Sequence, residues 1–157
     1  MQNNLNDKAE ILMETLPFMR RYSNKVIVIK FGGHAMGKKE YVKTFAQDVS
    51  LLQQVGILPI VVHGGGPQIG EMLKKLKIES NFIDGLRVTD AATIDVVEMV
   101  LCGIINKSIV SAISNEGANA VGISGKDGNL ISAKRLSVID KNSDSNLENV
   151  VDLGFVG

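Results

Sequence analysis

Three consecutive glycines, Gly64, Gly65 and Gly66, follow a short apolar run, and this arrangement suits the binding of an anion. A glycine has no Cβ, so its backbone N–H group can approach a ligand closely. The helical pattern that follows would place the positive end of a helix dipole behind the turn. The turn is neither a dinucleotide fingerprint nor a P-loop, so a tight turn without a ligand is an equally good interpretation of these residues alone.

A second glycine turn favours the anion-binding interpretation. Lys30 ends another short apolar run, and Gly32 and Gly33 follow it closely. In a parallel α/β sheet, the carboxyl ends of neighbouring strands share one edge, and ligands bind at that edge. The sequence therefore predicts that Lys30 and both glycine turns converge on one site.

Arg87 is a third candidate, because it lies between two apolar residues just before a predicted helix cap. Most arginines are solvated surface charges. In this setting, however, a planar guanidinium can hold a carboxylate through two parallel hydrogen bonds. His63, beside the glycines, is better explained as a structural imidazole, because no carboxylate partner lies near it in the sequence.

The elements that must position these residues are strands and helices in alternation. The apolar runs 26–29 and 58–62 predict buried strands, and the patterns at 42–52 and 68–76 predict amphipathic helices after each of them. A strand, helix, strand unit of this kind has parallel strands and a right-handed crossover. The fold class predicted is α/β, a three-layer αβα sandwich with a mainly parallel open sheet.

The later part of the chain predicts further elements of the same fold. Residues 83–90 favour an extended segment or hairpin that ends at a helix cap, Thr89 or Asp90. Two helical stretches follow, the first with a stripe of Ile94, Val97, Leu101 and Ile104 and the second over 107–115. Residues 120–124 and 150–156 predict strands, and 140–146 a polar loop. Because nothing covers the last predicted strand, we expect a truncated version of the fold.

Residues 1–24 are predicted to form an amphipathic helix outside the βαβ unit, and 25–157 a domain. Pro17 should kink or restart this helix. The apolar stripe can pack on its own domain or on another subunit. It comprises Leu5, Ala9, Leu12, Leu16 and Met19.

Composition excludes several classes of protein. The 157 residues carry 17 basic and 17 acidic side chains, so no bulk field argues for nucleic acid or a membrane surface. The single cysteine, Cys102, lies in an apolar helical pattern, so we interpret it as a small core residue. No His or second Cys lies near it in the sequence, and no metal site is predicted. No apolar run in the sequence approaches membrane-spanning length by this interpretation, so we expect a cytoplasmic protein.

Five segments together resemble the acetylglutamate kinases of the amino acid kinase family. The glycine turns alone also suit carbamate, aspartate, glutamate and uridylate kinases, whereas the segment around Arg87 favours the acetylglutamate branch. In chain order the segments are KFGGHAMG, VVHGGGPQIG, DGLRVTDAAT, VGISGKDG and DLGFVG.

The resemblance implies phosphoryl transfer from ATP, with Mg²⁺, to the side-chain carboxylate of N-acetyl-L-glutamate, a step of arginine synthesis. It assigns Lys30 to catalysis by neutralising the transferring phosphoryl group. It also implies two sets of binding glycines, with Arg87 as the clamp on the substrate α-carboxylate. The phosphate-binding set is Gly32, Gly33 and Gly64, and the substrate-binding set is Gly65 and Gly66.

The N-terminal helix resembles that of arginine-inhibited members, which are hexamers assembled as trimers of dimers. A homo-oligomer with arginine as a feedback inhibitor is therefore expected. The resemblance also implies that residues 25–157 are the amino-acid-binding domain and that the nucleotide-binding half is absent. The alternative left open is a non-catalytic module for acyl-amino-acid binding or for assembly.

Overall fold

The structure is a computed structural model that describes residues 2–83, 85–133, 138–139, 150–151 and 154–155. Its contacts divide the chain into two compact units. Unit 1 consists of Met1–Gly64 and Ile109–Val121, and unit 2 of Gly65–Ser108 and Gly122–Gly157. Each unit is described by itself below. The predicted loop at 140–146 lies outside the described residues.

Unit 1 is built on a parallel pair of strands. Strand β1, Val26–Phe31, pairs in parallel with β2, Leu58–His63, and helix α2, Lys39–Gln54, connects them. The mixed α/β class with parallel strands is thus confirmed. Helix α2 ends before Gly56, whose φ of +86° is left-handed and favours glycine.

One face of the β1–β2 pair packs against α2, as the alternation of the strands requires. Phe31 of β1 stacks on Phe45 of α2, with ring centroids 3.9 Å apart. The side-chain amide of Gln53 in α2 makes two hydrogen bonds with the backbone of Asn119. Its Nε2 group donates to the Asn119 O, and its Oε1 atom accepts from the Asn119 N–H. The strand predicted at 120–124 is wrong, because these residues form no ladder in the described chain.

Helix α1, Gln2–Tyr22, precedes β1 in unit 1. It runs through Pro17 as one element, so the predicted restart at this proline is wrong. The predicted stripe divides in two along the helix: Leu5 and Leu12 are exposed, whereas Leu16 and Met19 are half-buried.

Unit 2 begins with α3, Gly66–Lys75, which packs against α4, Ala91–Glu98. Between them, β3, Phe82–Ile83, and β4, Leu86–Arg87, form an antiparallel hairpin, as one of the two predicted alternatives required. A second antiparallel pair consists of β5, Val138–Ile139, and β6, Val150–Val151. The strand predicted at 150–156 is therefore shorter than expected, because in the described residues it covers only Val150–Val151. Gly154 makes a separate parallel bridge to Thr89.

Asp90 is the N-cap of α4. Its carboxylate accepts a hydrogen bond from the Thr93 N–H at 2.7 Å. Hydrogen bonds from the side chain and the backbone of Thr93 lower the pKa of Asp90, because they favour its charged form. Of the two caps predicted, the structure thus selects Asp90.

A π-helical segment, Met99–Ile105, follows α4 and leads into α5, Asn106–Asn115. The predicted stripe through Ile94 and Ile104 is wrong, since Ile104 is 46% exposed. A π-helical turn adds one residue to a helical turn, so it changes which positions face the interior. The buried positions accordingly include a step of five residues, from 100 to 105: they are Thr93, Val96, Val100, Ile105, Ile109 and Ile113.

The three segments form one continuous helix, Ala91–Asn115, of 25 residues. By length and composition alone this helix is apolar enough to cross a membrane, which corrects the statement that no run reaches such a length. The sequence interpretation had divided the run into two helices. A core helix of a soluble protein passes the same test, and the helix carries a row of buried positions.

Candidate functional site

Lys30 and Gly64 lie at the same edge of the parallel strand pair in unit 1. In the register of β1 and β2, Lys30 is opposite Val62 and Phe31 is opposite His63, so both strands end together. The N–H of Gly64 donates to the backbone O of Phe31 at 3.3 Å, which extends the pairing into the glycine turn. The Lys30 side chain is exposed, so its ammonium group is accessible to an anion at this edge.

The glycines of unit 1 leave space beside the backbone. The backbone O of Gly32 accepts a hydrogen bond from the Ala35 N–H at 3.1 Å, which closes the turn that also contains Gly33. A Cβ built at Gly32 or at Gly64 would have no atom of the chain within 4 Å. Neither residue has a left-handed φ. Packing and a left-handed φ therefore do not explain glycine at these two positions, and a ligand could approach the backbone there.

His63 makes the contact of a structural imidazole. Its Nδ1–H group donates to the backbone O of Gly64 at 3.1 Å. The histidine thus helps to fix the carbonyl of the turn. This contact agrees with the structural role that the sequence favoured for His63.

Gly65 is explained by packing within unit 2. A Cβ at this position would lie 2.5 Å from Ile105 Cδ1 and 2.7 Å from Leu101 Cδ2. Its backbone O accepts the Ile69 N–H at 2.9 Å, the bond that begins α3. The side chains of Leu101 and Ile105, both in the π-helical segment, therefore pack directly against Gly65. Gly66, the first residue of α3, has no atom within 4 Å of a built Cβ.

Arg87 lies beside the start of α3 in unit 2. Its Nη2 group donates to the backbone O of Gly66 at 3.5 Å, and its Nη1 group donates to Ser80 Oγ. The guanidinium carbon lies 4.5 Å from the centre of the Phe82 ring. The positive guanidinium and the positive end of the α3 dipole are thus adjacent, and a carboxylate is the type of group that both attract.

The predicted site residues divide between the two units. Unit 1 holds the lysine and three glycines, a positive group beside glycine backbone of a kind that suits an anion. Unit 2 brings Gly66 and Arg87 together, in a geometry suited to a carboxylate. The first set is Lys30, Gly32, Gly33 and Gly64, and the second is Gly65, Gly66 and Arg87.

The sequence interpretation missed the residues that support these groups. Phe82 was detectable, because the turn at Gly85 and the alternation of the hairpin place it opposite Arg87. Ser80 precedes the paired residues of the hairpin, and no pattern marked it. Leu101 and Ile105 were detectable only as apolar helix positions, because no sequence signal indicated the π-helical segment.

Other polar residues of unit 2 have structural roles. Asp127 accepts hydrogen bonds from the N–H and the hydroxyl of Ser124, and these bonds lower the pKa of Asp127. Lys126 forms an ion pair with Glu98, which raises the pKa of the lysine. In the part of the chain that the structure describes, no group of three His, Cys, Asp or Glu side chains could hold a metal ion.

Residues 25–156 match the amino acid kinase family. The chain is 63% identical to acetylglutamate kinase of Rhodospirillum rubrum over 150 residues, a match that covers 96% of this chain and 48% of that protein. It is 59% identical to the acetylglutamate kinases of Rhizorhabdus wittichii and Gluconobacter oxydans, again over 96% of this chain and over 50% and 51% of theirs. The chain thus spans about half the length of the curated relatives it matches.

A solved structure shares the fold. It is N-acetylglutamate synthase from Neisseria gonorrhoeae in complex with coenzyme A and N-acetyl-glutamate, with a TM-score of 0.66 and 22% identity. The match covers 82% of this chain and 29% of that chain, and at this identity it informs on the fold alone. From the match over residues 25–156, with the fold to support it, the chain belongs to the amino acid kinase family.

Proposed function

We propose that this chain is the amino-acid-binding half of an acetylglutamate kinase. The enzyme would transfer the γ-phosphoryl group of ATP to the side-chain carboxylate of N-acetyl-L-glutamate, in arginine biosynthesis. Relatives of that name, 57–63% identical to the chain over 150 residues, support this proposal. The residues 25–157 would form the substrate-binding domain, and the nucleotide-binding half would come from the remaining length that the relatives have.

The observation that carries the proposal is the place of Arg87. Its guanidinium donates to the backbone O of Gly66 in the first turn of α3. A guanidinium has five N–H donors in a planar fork that matches a carboxylate. Arg87 would bind the α-carboxylate of the substrate, with Gly65 and Gly66 as neighbouring contacts.

The edge of the strand pair in unit 1 would bind the phosphoryl group that is transferred. The reaction must bring an anionic acceptor to an anionic donor, so catalysis depends on positioning and on neutralising charge. Lys30 would neutralise the charge that develops on the transferring group. Backbone N–H groups of the turns, apart from that of Gly64, which donates to the Phe31 O, would hold its oxygens without any covalent intermediate. These turns contain Gly32, Gly33 and Gly64.

ATP enters this proposal as a co-substrate, and Mg²⁺ as the counter-ion of its phosphates. Mg²⁺ at kinase sites is held largely by substrate phosphates and water, with one or two carboxylates. The described residues offer no side-chain cluster for a metal, so no step is assigned to an ion held by them.

The alternative, a non-catalytic binding or assembly module, is not favoured. The relatives that match 96% of this chain are named as kinases.

The substitution Arg87→Ala tests the proposal in the full-length enzyme. We expect the KM for N-acetyl-L-glutamate to rise roughly ten- to hundredfold, the equivalent of about 1.5–3 kcal/mol for hydrogen bonds to a charged group. The KM for ATP should change much less. Steady-state kinetics with each substrate varied in turn gives both values. Arg20→Ala, which removes an exposed arginine of α1, is the control, and equal effects of Arg87→Ala on both substrates would contradict the assignment.

We further propose a cytoplasmic homo-oligomer, a hexamer built as a trimer of dimers, with arginine as a feedback inhibitor. Helix α1 supports an assembly role, because it precedes the strands of unit 1 and exposes apolar side chains. The most exposed of these are Leu5, Ile11, Leu12, Met13 and Phe18, each 60–67% accessible. Side chains of this kind are usually covered by a partner when they lie close together.

Deletion of residues 1–22 tests this role of α1. In the full-length enzyme we expect the deletion to preserve folding and catalysis while it reduces a hexamer to dimers. It should also weaken inhibition by arginine. Light scattering after size-exclusion chromatography gives the particle mass, and a particle of unchanged subunit number, or an insoluble protein, would show that α1 belongs to the core of unit 1.

A further inference from the structure

The pairing of Phe82 with Arg87 follows from the backbone of the hairpin. The two residues are directly opposite in the register of β3 and β4. The Val88 N–H donates to the backbone O of Asn81 at 2.9 Å, which continues the ladder beyond them. Gly85, in the turn, has a φ of +78°. The aromatic ring is therefore held against the guanidinium face by main-chain hydrogen bonds.

The contacts of the guanidinium leave part of it available. One face lies on the Phe82 ring, Nη1 donates to Ser80 Oγ, and Nη2 donates to the backbone O of Gly66. These hydrogen bonds use two of its five N–H groups. The other three have no partner within the described part of the chain, and Nε with Nη2 forms a side-on pair that can hold a carboxylate.

We propose that Phe82 and Ser80 are positioning residues, which fix the plane and the in-plane rotation of the Arg87 guanidinium so that its remaining N–H groups meet the substrate carboxylate. This inference rests on the proposed function, in which Arg87 binds the α-carboxylate. An arginine ordered in advance loses less side-chain entropy on binding, and the affinity rises accordingly. The ring of Phe82 is 57% exposed, so packing in the interior does not explain its place.

The test measures binding of N-acetyl-L-glutamate and of its α-carboxamide analogue to the full-length enzyme by calorimetry. The analogue has no α-carboxylate. We expect Phe82→Leu to raise the Kd of N-acetyl-L-glutamate about two- to fivefold, and Ser80→Ala about tenfold. Neither variant should change the Kd of the analogue. A role in folding alone would weaken both ligands equally.

Two further variants act as controls. Phe82→Tyr keeps the aromatic face and should bind as the parent chain does. Leu86→Ala removes an exposed apolar side chain from the same hairpin and should leave the preference for the carboxylate ligand unchanged.

The outcomes separate the two proposals. If the parent chain binds N-acetyl-L-glutamate no better than the analogue, the assignment of Arg87, and with it the proposed function, fails. If the parent prefers the carboxylate ligand and Phe82→Leu and Ser80→Ala keep that preference in full, the positioning inference is overturned while the proposed function stands.

Discussion

Replacing Lys30 with methionine in the full-length enzyme is expected to lower kcat by about 10²–10³-fold, while the KM for N-acetyl-L-glutamate stays nearly constant. The register places Lys30 at the end of β1, opposite Val62 and next to the turn that contains Gly64. Methionine keeps the length and apolar stem of the side chain and removes its charge. A group that acts on the developing charge of the transition state contributes to kcat rather than to substrate binding.

Stopped-time assays of ADP release, with both substrates saturating, give kcat for the variant. Lys25→Met is the matched control, because Lys25 is an exposed lysine one residue before β1, at the opposite end of the strand. A kcat for Lys30→Met within roughly tenfold of the parent, about 1.4 kcal/mol, would show that Lys30 has no catalytic role.

The local elements around Lys30 were predictable because short-range patterns determine them. A β-branched apolar run predicts a strand whatever its neighbours are, and β1 and β2 appear where such runs occur. The predicted burial is wrong for one face of the pair, where side chains such as Val28 and Ile60 are exposed. The parallel pairing then followed from the helix between the two strands. The Asp90 cap was predictable for a similar reason, since the capping bond joins residues three apart.

The buried face of Ala91–Asn115 was not predictable in the same way. Helical periodicity assumes 3.6 residues per turn, and the segment Met99–Ile105 departs from it. The sequence therefore favoured Ile104, whereas Ile105 is the buried residue. The contacts of Arg87 with Ser80 and Gly66 could not be predicted from the sequence either, because they depend on the tertiary arrangement of unit 2.

The second large effect is expected at Gly65, because a side chain there would displace the terminal methyl groups of two residues of the π-helical segment. In Gly65→Ala the new Cβ would lie 2.5 Å from Ile105 Cδ1 and 2.7 Å from Leu101 Cδ2. Overpacking costs about 1–3 kcal/mol, and the lower end of this range applies here because the ends of two flexible side chains can move. Movement of Gly65 would also displace the start of α3, because its backbone O accepts the first helical hydrogen bond, from Ile69. We therefore expect lower stability and weaker binding of N-acetyl-L-glutamate together.

Gly64→Ala is the matched control for stability, because a Cβ at Gly64 meets no atom within 4 Å. Where the backbone conformation suits alanine, this substitution stabilises a protein by roughly 0.4–1 kcal/mol through the unfolded chain. Adjacent glycines should therefore respond with opposite signs. Urea denaturation of the 157-residue chain measures both free energies of unfolding, and a Gly65→Ala chain as stable as Gly64→Ala would contradict the packing argument.

Removing the obstructing methyl group should restore part of the loss. Ile105→Val deletes Cδ1, the atom nearest to the new Cβ, and alone costs about 0.5–1.5 kcal/mol. If the steric contact is the cause, the two substitutions are not additive, and Gly65→Ala with Ile105→Val should be more stable than the sum of the single effects predicts by about 0.5 kcal/mol or more. Additive losses would show that the contact with Ile105 is not the cause and would leave the contact with Leu101 or the backbone of Gly65. Because the same double variant should also recover part of the binding of N-acetyl-L-glutamate, the experiment tests whether the packing of Ile105 on Gly65 holds this residue in its binding conformation.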